Sequence, residues 1–88
     1  MTTWNYRVIK QEHPTGTSYA IYEVYYDDED NIEFITKDPI SPHGETVNEL
    51  ENDLKYMQKA FSLPVLDMDE LDKLFAIKHN NAVSRSDT

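Results

Sequence analysis

Apolar and polar residues alternate with period two over three early stretches of the chain, and two later stretches repeat apolar residues at helical spacing. Asn5 to Gln11 reads as a first strand that ends at the turn cluster His13-Pro14-Thr15-Gly16. Ser18 to Tyr26 reads as a second. The run Asp27-Asp28-Glu29-Asp30-Asn31 reads as a solvated hairpin loop, with Asn31 suited to a left-handed conformation, before a third strand from Ile32 to Lys37. Two prolines stiffen the connector Asp38 to Glu45 and bar it from a central strand. A helix is expected from Thr46 to Phe61. Thr46-Val47-Asn48-Glu49 has the form of a capping box, and Val47, Leu50, Leu54, Met57 and Phe61 make one stripe with Leu54 at its buried centre. Pro64 ends that helix, so Leu63 to Leu66 is extended and suited to a short fourth strand at an edge. A second box, Asp67-Met68-Asp69-Glu70, opens a short helix with Met68, Leu71, Leu74, Phe75 and Lys78 on one stripe, and Lys78 and His79 suit its C-terminal end.

These elements predict an α+β fold: a three-stranded antiparallel meander, one main helix across one face, a short fourth strand and a short C-terminal helix. Residues 1–79 form one domain in this reading, and 80–88, with neither periodicity nor apolar mass, a disordered tail.

The second strand is bulky on both sides. Ala20, Tyr22, Val24 and Tyr26 alternate with Tyr19, Ile21, Glu23 and Tyr25, whereas a sheet with one wet face alternates apolar with polar. Pairing Glu23 across strands with Arg7 and Lys37 assigns Ala20, Tyr22, Val24 and Tyr26 to the face of Trp4, Tyr6, Val8, Ile32 and Phe34, beneath the main helix. The opposite face then carries Ile9, Tyr19, Ile21, Tyr25 and Ile35, which makes these five the candidate interface. The terminal helix or a second subunit could cover it. The short Leu63 to Leu66 connector favours self-association, with a homodimer as the expected form.

Charge narrows the partners. Eight Lys and Arg stand against 17 Asp and Glu, a formal charge of −9, and ten of the acids lie between Asp27 and Tyr56 with only two bases. That balance opposes nucleic acid and anionic membranes and favours basic partners. The chain has no cysteine, hence no disulfide, thiolate metal site or thiol catalysis, which suits a reducing cytoplasm. No stretch approaches the ~20 apolar residues of a membrane span, and the N-terminus lacks the pattern of a signal peptide.

Candidate chemistry is sparse. The acidic loop lacks the glycine and the bidentate glutamate of an EF-hand. His13, His43 and His79 sit in a turn, a connector and a helix end, without metal-ligand spacing. Trp4, Tyr6, Tyr19, Tyr22, Tyr25, Tyr26 and Phe34 could stack bases, yet Arg7, Lys10 and Lys37 are the only bases nearby, which favours core or protein interface. No cofactor, metal ligand or catalytic residue is nominated.

Trp4-Asn5-Tyr6-Arg7-Val8-Ile9, Tyr22-Glu23-Val24-Tyr25-Tyr26-Asp27 and Pro39-Ile40-Ser41-Pro42-His43-Gly44-Glu45-Thr46 resemble the marks of a family of short uncharacterised bacterial proteins. That family implies no activity. Gly44-Glu45-Thr46 followed by Val47-Asn48-Glu49-Leu50 resembles the turn and helix of HicB-type antitoxins, although Pro39-Ile40-Ser41 stands where those carry Pro-Gly-Cys. The expected function is a small, non-enzymatic, cytoplasmic protein-binding or regulatory module. The alternatives are an antitoxin-type protein that neutralises a basic partner, and a small enzyme of unidentified class.

Overall fold

The computed structural model describes residues 3–76. Strands β1 (Thr3–His13), β2 (Gly16–Tyr26), β3 (Ile32–Ile35) and β4 (Leu66–Asp67) form one sheet in the spatial order β3-β2-β1-β4. Helix α1 (Val47–Gln58) runs into a 3-10 turn (Lys59–Ser62), and α2 occupies 68–76. The α+β class holds. The expected tail at 80–88, with Lys78 and His79, lies outside the described residues.

β1, β2 and β3 pair antiparallel, as expected, but β4 pairs parallel to β1, placing Ile9 beside Leu66 and Lys10 beside Asp67. The sheet is therefore mixed rather than a pure meander. β3 runs in the direction of β1, and α1 is the crossover that returns the chain to β1's free edge in that same direction. The edge contact is held by Arg7, whose Nη2 donates to the Pro64 carbonyl at 2.8 Å, and by Lys10, 3.5 Å from the Asp67 carboxylate.

The first hairpin decides which residues share a face. His13 pairs with Gly16 across the two-residue loop Pro14-Thr15, and Gly16 takes φ +145°, open to glycine and strained for other residues. Such a loop pairs odd residues of β1 with even residues of β2, so Arg7 opposes Tyr22 and Tyr6 opposes Glu23. This corrects the expected faces, because a one-residue change of register turns every side chain over. The pairing of Glu23 with Arg7 is not made. Arg7 Nη1 instead donates to the Tyr26 hydroxyl at 3.0 Å, Tyr26 donates to Asn5 Oδ1 at 2.9 Å, and Glu23 accepts from the Tyr25 hydroxyl on the other face.

Two cores result, one on each side of the sheet. Ile9, Tyr22 and Val24 pack with Leu71 of α2, flanked by Met68, Phe75, Ile32 and Ile35. Tyr6 and Val8 pack with Met57 of α1 and Ala60 of the 3-10 turn, flanked by Ile21 and Ile40. The terminal helix, in the same chain, therefore covers the face that carries Ile9 and Ile35, which had been expected to await a second subunit. Its start is capped as its sequence implies, with Asp67 Oδ1 accepting from the Asp69 amide at 2.9 Å.

The second hairpin tip also departs in detail. Asp30, not Asn31, adopts the left-handed conformation, at φ 63°. The Asp27 carboxylate accepts from the Glu29 and Asn31 amides at 2.9 and 3.0 Å, an Asx-type closure of the turn.

Candidate interaction surface

α1 begins where the sequence places it. Thr46 has extended backbone angles and its hydroxyl accepts from the Glu49 amide at 3.1 Å, while Glu49 Oε1 accepts from the Glu45 amide at 3.2 Å, one residue upstream of the usual reciprocal bond. Gly44 is required by space: a Cβ there would lie 2.3 Å from the Leu50 amide nitrogen. Glycine alone lets the connector cross this close to the first turn.

Asp53 locks the helix down. One carboxylate oxygen accepts from the Tyr6 hydroxyl at 2.8 Å and the other from the His43 amide at 2.9 Å, so a single side chain joins β1, the connector and α1. Burial first, then the bond to Asp53 and its negative charge, hold the Tyr6 phenol well above its ordinary pKa. The Tyr25 phenol is also raised, chiefly by its bond to Glu23.

Asp53, Met57 and Ala60 thus define the side of α1 turned to the sheet. At about 100° per residue, Val47, Leu50, Leu54 and Phe61 fall on a second stripe centred roughly 90° around the helix. That stripe is open. Val47 is 83% exposed, Phe61 70%, Leu54 48% and Leu50 42%. The expected burial of Leu54 is therefore corrected, and of the predicted core stripe only Met57 is buried. The reason is the Tyr6–Asp53 bond, which rotates the helix so that Asp53, Met57 and Ala60 meet β1 and the larger apolar side chains flank the contact.

Charge along this segment is segregated. Residues 45–53 carry Glu45, Glu49, Glu51 and Asp53 with no base, and residues 54–62 carry Lys55 and Lys59 with no acid. The polarity suits the helix dipole, and of these charges Glu51 and Lys55 border the open stripe.

The other flank of α1 is aromatic. Trp4 meets Tyr6 and Tyr56 edge-on, with ring centroids 5.1 and 5.6 Å away, and Tyr25 stacks on Phe34 at 4.6 Å. Trp4 and Tyr25 are 6.3 Å apart, so the rings form a continuous row across β1, β2 and β3. Tyr22 and Tyr26 belong to the opposite face. The aromatic residues singled out from the sequence are thus divided between the two sides of the sheet.

The five residues expected to form one interface are divided too. Ile9, 1% exposed, and Ile35 lie in the core under α2. Tyr25, Ile21 and Tyr19 lie on the α1 side, where Ile21 supports the core, Tyr25 joins the aromatic row and only Tyr19 is open at the hairpin end. The sequence reading missed the surface made by Val47, Leu50, Leu54 and Phe61, because helical spacing reports an apolar side without saying what it meets. Asp53, on the sheet-facing side, was the available signal that this side is partly polar.

A cavity of about 400 Å³ lies at the far end of the α2 face, lined by His13, Ser18, Tyr22, Lys37 and Asp38 among others. His13 Nε2 and Ser18 Oγ are 2.8 Å apart, and both residues are exposed, which makes the pair a cross-strand bond at the hairpin end. His43 contributes its backbone amide to Asp53. Among the described residues no group of three or more His, Cys, Asp or Glu side chains is arranged to hold a metal ion, and no helix is long and apolar enough to cross a membrane. Comparison with protein-family models, curated proteins and solved structures finds no match.

Proposed function

We propose that this chain is a small, non-enzymatic protein-binding or regulatory module of the cytoplasm that makes its contact through the open flank of α1. The observation that carries the reading is the exposure of Val47, Leu50 and Leu54 along one side of a capped, anchored helix and of Phe61 in the 3-10 turn that continues it. Isolated apolar residues on a surface are ordinary, whereas a continuous stripe on an ordered element marks a contact site. The four acids over 45–53 favour, as a second reading, an antitoxin-type role in which this segment neutralises a basic partner.

Site-specific photo-crosslinking tests the surface. A benzophenone side chain at position 54, in cells of the native host, is expected to give a discrete protein adduct, while the same probe at Glu70 on α2 gives none. Equal labelling from both positions, or none from 54, contradicts this assignment. An adduct with a basic protein that high salt disperses would support the antitoxin-type reading over a neutral contact.

A further inference from the structure

The open flank of α1 has the features of a helix that pairs with a copy of itself. Val47, Leu50, Leu54, Met57 and Phe61 follow the three-four spacing of a helix–helix seam. Met57 is taken by the sheet, and the other four remain available on one side. The direction of pairing is set by charge. A parallel partner would bring the acidic segment 45–53 alongside its own counterpart, with Glu51 at the edge of the stripe in each copy. An antiparallel partner brings Glu51 of each copy to the end that carries Lys55 of the other.

We infer that two copies of this chain associate through α1 in antiparallel orientation about a two-fold axis near Leu54, with Val47 of each copy against Phe61 of the other and Glu51 beside Lys55 of the partner. The proposal rests on the reading of the α1 flank as a contact surface and adds its occupant. A two-fold axis is the commonest closed symmetry and uses one surface twice, so a stripe apolar along its length and bordered by one acid, Glu51, and one base, Lys55, complements itself. Leu54 meets its own counterpart at the axis. The face buried under α2 takes no part.

Sedimentation equilibrium on the full chain is the first test. A concentration-dependent dimer is expected in the micromolar range, and Leu54→Asp should weaken it by about 10-fold or more, as for a central anchor of an interface. Leu54 is half-exposed, so this variant keeps its fold, which circular dichroism checks. Glu51→Lys and Lys55→Glu should each weaken association, and the double exchange should recover most of it.

The absence of cysteine from the chain allows a direct test of orientation. In the antiparallel pair the two Val47 positions lie roughly 21 Å apart along the seam, at 1.5 Å per residue, far beyond disulfide reach. Mixed Val47→Cys and Phe61→Cys chains should therefore oxidise to the heterodisulfide, and Val47→Cys alone should not crosslink. A Val47→Cys homodisulfide formed in high yield would overturn the antiparallel arrangement. A wild-type chain that stays monomeric at high micromolar concentration would overturn self-association altogether. The photo-crosslink from position 54 separates the two levels: an adduct with a different protein, from a chain that is monomeric, leaves the contact surface standing and removes the second copy as its occupant.

Discussion

The two helices treat the sheet differently. α2 is the shorter as described, yet Leu71 reaches a core built on Ile9, Tyr22 and Val24, with Met68 and Phe75 packed around it. α1 has the stronger sequence pattern, a full cap and 12 residues, yet it brings only Met57 into its core, aided by Ala60 from the turn beyond. A helix on a sheet therefore need not point its most apolar side inward. α1 is oriented by the polar anchor Tyr6–Asp53–His43, which leaves its leucines beside the contact, whereas α2, over its described residues, turns Met68, Leu71 and Phe75 onto the sheet and leaves Leu74 exposed.

The comparison breaks first at Leu71. Leu71→Ala should cost about 2–5 kcal/mol in chemical denaturation, since it empties a closed apolar site, and a loss below 1 kcal/mol would mean that α2 does not seal this face.

The anchor of α1 comes next. Asp53→Ala removes a charged acceptor from two donors and should cost about 1.5–3 kcal/mol. Tyr6 adds a dependence on pH. Its phenol is harder to ionise in the fold than in the unfolded chain, so the unfolded state loses its proton first as pH rises. The stability this contact provides is complete below the ordinary tyrosine pKa of about 10 and declines above it. Denaturation midpoints measured from neutral to strongly alkaline pH should fall more steeply for wild type than for Tyr6→Phe, and parallel curves would show that the phenol is not buried against Asp53.

Thr46→Ala should cost about 1 kcal/mol by leaving the Glu49 amide without its capping acceptor. The smallest effect is expected at Leu54. Measured at protein concentrations low enough to keep the chain monomeric, Leu54→Ala should change stability by under ~1 kcal/mol, because about half of the residue is in water already. A cost equal to that of Leu71→Ala would remove the distinction between the two helices.

Much of the element order was legible. The capping threonine, the aspartate cap at Asp67 and the three strands stand where local chemistry places them, because a cap or a turn depends on a few neighbouring residues, whereas α1 gives way to the 3-10 turn Lys59–Ser62 before Pro64 and β3 ends at Ile35 rather than Lys37. The pairing of faces was legible in principle. Pro14-Thr15 as a two-residue loop makes odd positions of β1 oppose even positions of β2, and that parity outweighs the attraction of Glu23 for Arg7, since each charge has a nearer hydroxyl in Tyr25 and Tyr26. Of the candidate surface, the residues of the α1 stripe were visible as apolar and assigned to the core.

By itself the sequence determined the period of each segment, its ends and the uneven charge, all of which are properties of short windows of chain. Tertiary structure decided the rest: the parallel addition of β4, the covering of Ile9 by α2, and the rotation of α1 that opens Val47, Leu50, Leu54 and Phe61. The physical reason is that periodicity fixes which residues share a side, while which side is buried depends on contacts such as Tyr6 with Asp53, 47 residues apart in the chain, that only the folded arrangement brings together.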